Sequence, residues 1–195
     1  ANHVVNIYGA DGRYIQTVGR EGSGPGEFRR IGYLRRIHGD SLMIYDGAAR
    51  RVTVHGPDLT GDPREYALPQ MDGRIPTLST AGADGRLLLR RALGPPPAGG
   101  GIARDTLEFA MLDGDSLSAL RKYRGPEMNI AVEGSGGDIR SVFIMQVPFA
   151  RLAHAASAGD RFVTATGEAF ELHLWNRDGT LERIVRSAHV TPQPV

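Results

Sequence analysis

An all-β chain built from short, repeated antiparallel sheets is predicted, on three observations. Apolar and polar residues alternate in short runs such as Val4-Val5-Asn6-Ile7-Tyr8 and Phe170-Glu171-Leu172-His173-Leu174-Trp175, the period of a half-buried strand. Turn dipeptides, most often Asp-Gly, separate the runs. Helical spacing of apolar residues occurs nowhere over a useful length.

The first hairpin is Val4 to Tyr8 returning through Arg13 to Val18, with Asp11-Gly12 as its turn. Gly19 to Phe28 follows, with Gly22, Gly24, Pro25 and Gly26 inside it. Such a stretch makes neither a helix nor a ladder-paired strand, so it is a connector. Four strands come next: Ile31 to Ile37, Ser41 to Tyr45, Arg51 to His55 and Arg64 to Leu68, each link a turn. The third unit is looser, with Thr77 to Thr80, Arg86 to Arg91, Thr106 to Leu112 and Ser116 to Tyr123 as strands. Gly94 to Gly101, rich in proline and glycine, is a loop within it. Residues 125–148 read as an insertion with its own bend at Gly134 to Gly137, and Val142 to Val147 adds a strand or covers an edge. The last unit has strands at Phe149 to Ala155, Arg161 to Thr166, Phe170 to Trp175 and Thr180 to Arg186. The expected organisation is a single segment: half a blade over 1–18, blades over 28–70, 75–124 and 149–188, and the insertion between the last two.

The units repeat. Val4 to Tyr8 with Asp11-Gly12, Arg51 to His55 with Pro57-Asp58, Leu107 to Met111 with Asp113-Gly114, and Leu172 to Trp175 with Asp178-Gly179 fill one slot. Val5 and Val52 stand 47 positions apart, within the period of about 40 to 50 residues typical of β-propeller blades. A glycine-rich loop running into Phe28, followed by Leu42-Met43-Ile44-Tyr45-Asp46-Gly47-Ala48-Ala49-Arg50-Arg51-Val52, resembles the six-bladed β-propeller proteins with NHL-type repeats. Val4 stands where that pattern has arginine, and the later units keep the hairpins without the Asp and Arg signature. The resemblance implies a propeller of which this chain supplies about 3.5 blades. It is then either a fragment of a six-bladed ring or a chain that closes through another copy, and the fragment is favoured because an open arc leaves sheet edges uncovered.

Composition narrows the function. The 23 basic and 22 acidic residues give a net charge of +1, which argues against nucleic acid. The basic residues are almost all arginine, with Lys122 the only lysine, as a high-GC bacterial genome encodes. The absence of cysteine excludes disulfides, thiolate metal ligands and thiol nucleophiles. No apolar run is long enough to cross a bilayer as a helix. No signal peptide is visible at Ala1, and a secreted or periplasmic location requires one outside this chain.

Each conspicuous motif has a structural reading beside its chemical one. The glycine loop lacks the Lys-Ser/Thr and the following helix of a phosphate cradle. Asp46 and Arg51 are read as a structural pair, the carboxylate taking turn amides and the guanidinium. Gly22, Gly24, Gly26 and Phe28 complete the same structural motif. The six histidines show no metal-ligating spacing, so no metal or cofactor is expected. Only His154, on an expected inner strand, is a candidate. Tyr33, Arg35, Arg151 and His154 are the candidate ligand contacts at a channel mouth, and only one of Arg35 and Arg36 can serve because neighbours point oppositely. Trp175 reads as core, and no G-x-S-x-G elbow is present. The leading expectation is a non-catalytic module that binds a protein, peptide or small ligand, with self-association through open sheet edges as a further route. The alternative is a metal-assisted lyase or hydrolase with its site in the channel, which the resemblance also allows. RNA binding is a third class, disfavoured by the balanced charge.

Overall fold

The computed structural model of the chain describes residues 3–93, 101–135, 138–148 and 150–187. The loop expected at 94–101 (apart from Gly101), the bend at Gly136-Gly137, and Phe149 and His189 lie outside them. Two compact units, Ala1–Leu89 and Arg90–Val195, divide the chain inside one strand.

In the first unit, β1 (Val5–Tyr8) pairs antiparallel with β2 (Tyr14–Val18). Contrary to the expectation that Gly19 to Phe28 holds no ladder-paired strand, its two ends form short strands, β3 (Arg20–Glu21) and β4 (Glu27–Phe28), paired in parallel, because the glycines and Pro25 bend only the residues between them. Then β5 (Ile31–Arg36), β6 (Leu42–Asp46), β7 (Arg51–His55) and β8 (Arg64–Ala67) form a four-stranded antiparallel meander in sequence order. The link from β5 to β6 is a single 3-10 turn, His38–Asp40, which Gly39 permits by taking φ +70°. The core of this unit is built on Val18, Phe28 and Ile44, with Val5, Ile7, Ile31 and Leu42 packed against them. The first hairpin thus lays one face on the following sheet. Phe28 is fully buried, and a Cβ on Gly19 would sit 2.5 Å from its ring, so the loop can follow the ring closely only as glycine.

β9 (Thr77–Ala81) and β10 (Leu87–Ala92) begin a five-stranded sheet that continues with β11 (Gly101–Asp113), β12 (Ser116–Ser135) and β13 (Asp138–Gln146). Here the structure departs from the sequence reading. No separate insertion begins at 125: β12 runs straight through that point, and β13 pairs with it antiparallel from Met128↔Gln146 to Ser135↔Asp138. A bulge opposite Asp105 lets β12 accommodate Gly125 and Pro126 without leaving the sheet. The last sheet is β14 (His154–Ala158), β15 (Arg161–Ala165), β16 (Glu171–Trp175) and β17 (Leu181–Arg186), again an antiparallel meander in sequence order. β14 starts at His154, later than the Phe149 expected, and residues 150–153 are irregular.

Described residues contain no α-helix. The chain is all-β, and its four-stranded antiparallel meanders are β-propeller blades.

Candidate functional site

The residues that sequence reasoning assigned to structure are heavily committed. Asp46 is fully buried at the end of β6 and its carboxylate accepts four backbone N–H groups: Arg29 at 2.6 Å, Arg30 at 3.2 Å, Ala48 at 2.9 Å and Ala49 at 3.0 Å. Burial alone would raise its pKa, but the amides outweigh burial and hold it below the usual carboxylate value. Arg51 does not turn to Asp46 as expected. Its guanidinium donates to the carbonyls of Gly24 at 3.0 Å and of Glu27, and forms an ion pair with Glu65 at 3.4 Å. Asp46 therefore fixes the turn into β7, while Arg51 staples the glycine loop to the sheet.

The same contacts explain why this loop is no anion cradle. Gly24 N–H donates to the Glu27 carboxylate at 2.7 Å and Gly26 N–H to Glu65 at 2.9 Å. A Cβ on Gly22 would fall 2.0 Å from Glu27 Oε2. The amides that could face a phosphate already face the chain's own carboxylates.

Of the four candidate ligand contacts, Tyr33 and Arg35 share the half-buried face of β5, and Leu34 and Arg36 the exposed one. The Tyr33 hydroxyl contacts Thr80 Oγ1 at 3.2 Å and accepts the Ala81 N–H at 3.2 Å, so it ties β5 to β9. Arg36 pairs with Asp40 at 2.5 Å. In the second unit, Arg151 is exposed on the irregular approach to β14, where its backbone lies so close to Gly167 that a Cβ there would stand 3.0 Å from the Arg151 Cα. His154 is the exposed first residue of β14, opposite Ala165. Tyr33 and Arg35 belong to one unit and Arg151 and His154 to the other.

A polar cluster in the second unit was missed. Tyr123 of β12 and Thr164, His173 and Trp175 of β15 and β16 are all buried. The Trp175 indole N–H donates to Thr164 Oγ1 at 2.8 Å, Thr164 Oγ1 lies 2.6 Å from the Tyr123 hydroxyl, and that hydroxyl lies 3.0 Å from His173 Nδ1. His173 Nε2 is 2.7 Å from Glu171 Oε1, and Arg186 holds the other carboxylate oxygen at 2.5 Å. Burial, and next the Arg121 guanidinium 3.1 Å from Nε2, push the His173 pKa down, so the ring is neutral. The indole can only donate and the carboxylate only accept. The guanidinium likewise only donates, so Nε2 lies between the Arg121 donor and the Glu171 acceptor, and the histidine tautomer sets which way the Tyr123 and Thr164 hydroxyls donate. Parity was the available signal: Glu171, His173 and Trp175 alternate along one face of a strand, as do Arg121 and Tyr123. What parity could not give was that both faces would meet.

His55 is a second buried histidine, 7% exposed, with no hydrogen-bond partner at Nε2. Burial lowers its pKa, and Glu65 offsets this only in part. For both histidines the unfolded chain binds the proton more readily than the fold, so their contribution to stability is intact above about pH 6.5 and is lost as the pH falls below it. A thermal midpoint lower at pH 5 than at pH 7.5 is expected. His55→Leu should flatten the dependence without loss of stability at pH 7.5. An equal midpoint at both pH values would contradict this account.

Among the described residues no three His, Asp or Glu side chains are grouped so as to hold a metal ion. No protein-family model matches the chain, and no curated protein matches it. Among solved structures it is similar to a streptogramin B lyase, at 12% sequence identity and a TM-score of 0.37, over 95% of this chain and 62% of that one. The chain spans about 62% of that structure's length.

Proposed function

We propose that the chain is part of a six-bladed β-propeller with NHL-type repeats and acts as a non-catalytic binding module whose partner is a protein or peptide. One observation carries this reading. β13 is the outer strand of its sheet, and Phe143 and Met145 on it are 54% and 56% exposed. Register places Met145 opposite Asn129, and Asn129 opposite Ile102, itself 72% exposed. Ile102, Phe143 and Met145 therefore share one face, opposite the one on which Ile130 is buried at 1%. Single exposed apolar residues are ordinary, but Phe143 and Met145 together on an outer strand, with Ile102 beyond Asn129 on the same face, suit a protein surface or an added peptide strand.

The double substitution Phe143→Ser with Met145→Ser leaves the buried face untouched. It is expected to abolish capture of the partner while circular dichroism stays unchanged. Retention of the same partner by the double variant would overturn the reading. Stoichiometric Mg2+ or Zn2+ uptake in equilibrium dialysis, together with metal-dependent turnover, would replace it with a lyase or hydrolase.

A further inference from the structure

The sheets differ in how their last strands meet solvent. β8 ends the first meander and bears Arg64 and Glu65. β17 ends the last one and bears Glu182, Arg183 and Arg186. Charges on an edge strand keep it from pairing with another chain. β13 ends the five-stranded sheet, is 9 residues long, and has no charged residue from Ser141 to its end at Gln146. The uncharged stretch begins after Arg140 and runs through Val147 to Pro148, which has no N–H to give a ladder.

Apolar side chains stand in solvent on both faces of β13. Phe143 and Met145 lie on one face, and Ile144, 47% exposed, lies on the other. Position at an edge does not by itself explain this. β9, the opposite edge of the same sheet, has Thr80 and Ala81 buried.

We propose that β13 pairs with β13 of a second copy of the chain, antiparallel about a two-fold axis at Ile144, so that two five-stranded sheets join edge to edge. Directly opposite residues of an antiparallel pair share a face of the sheet. A two-fold axis through such a pair therefore sets one residue against its own copy. An axis at Ile144 uses the whole stretch from Ser141 to Val147. It brings Phe143 of each copy opposite Met145 of the other, and Ile144 opposite Ile144 on the reverse face. An axis at Phe143 would waste the match by setting Met145 opposite Ser141. Glu133, across the ladder from Ser141, is exposed. Its two copies fall at opposite ends of the pair, about 20 Å apart along the strands, so like charges do not meet. A strand without charge selects its mate by matching apolar side chains, and this strand matches itself. The inference rests on the reading of β13 as the binding face and names its partner.

Because the chain has no cysteine, Ile144→Cys places a single thiol on the proposed axis and leaves Phe143 and Met145 in place. It is expected to form an intermolecular disulfide about tenfold faster than Ile102→Cys, an exposed site two strands further in. Analytical ultracentrifugation of the unsubstituted chain is expected to show a concentration-dependent twofold mass. Phe143→Ser with Met145→Ser should move that transition at least about tenfold upward in concentration. A monomer mass at every concentration from about 1 μM to about 1 mM would overturn the proposal. Faster cross-linking through Phe143→Cys than through Ile144→Cys would overturn the axis. A dimer that the double serine variant keeps unweakened would overturn both the pairing and the use of this face. A chain that stays monomeric, yet loses capture of another protein in the double variant, would overturn the self-pairing alone.

Discussion

Replacing Asp46 by alanine is expected to cost the first unit about 4 kcal/mol or more, enough to unfold it in the absence of added stabilisers. Four backbone N–H groups converge on this one buried carboxylate. Alanine removes the acceptor of all four; Arg29, Arg30, Ala48 and Ala49 are exposed, so water replaces part of each bond, and each loss costs about 1 kcal/mol. Asp46→Asn is expected to be milder. One amide oxygen can keep the Ala48 and Ala49 N–H groups, while its NH2 meets the Arg29 N–H donor to donor. The pH dependence has a definite sign. Because the folded pKa lies below its unfolded value, the stabilisation is complete above about pH 4 and is lost as the pH falls through the folded value. Urea titration read by far-UV circular dichroism measures the loss. Wild-type stability in Asp46→Ala would show that the turn into β7 is held by something else.

Thr164→Val is expected to destabilise the second unit by about 3 kcal/mol. The substitution preserves shape and removes a hydroxyl that accepts the Trp175 indole N–H and lies in hydrogen-bond contact with the Tyr123 hydroxyl. The Trp175 indole N–H is then buried and unpaired, while the Tyr123 hydroxyl keeps only its His173 contact, which costs more than the lost bonds themselves. Thr164→Ser restores the hydroxyl and should recover most of the stability. Trp175 is the only tryptophan, so its fluorescence reports on this unit alone. An unshifted urea midpoint by tryptophan fluorescence in Thr164→Val would remove the cluster from any structural role.

Strand positions were readable because alternation and Asp-Gly turns act over a few residues. Val4 to Tyr8, Ser41 to Tyr45 and Arg51 to His55 all fall on strands. The strand expected at Val142 to Val147 falls within β13, but the insertion boundary at 125 was misplaced because Gly125 and Pro126 are strand breakers by composition and the bulge that keeps them in β12 depends on its pairing with β11. Arg51 was paired with the wrong carboxylate for a related reason. It stands opposite Asp46 in the ladder, but a guanidinium reaches beyond its own register, and Glu65 and the loop carbonyls lay closer to its head group.

The sequence by itself determined the all-β class and the succession of short hairpins, both set by local backbone preference. Tertiary structure alone decided which side chains meet. Tyr123 joins His173 and Thr164 across 41 to 50 residues of chain, and Gly26 finds Glu65 across 39. Such contacts depend on how one sheet face lies on another, and no local periodicity encodes that.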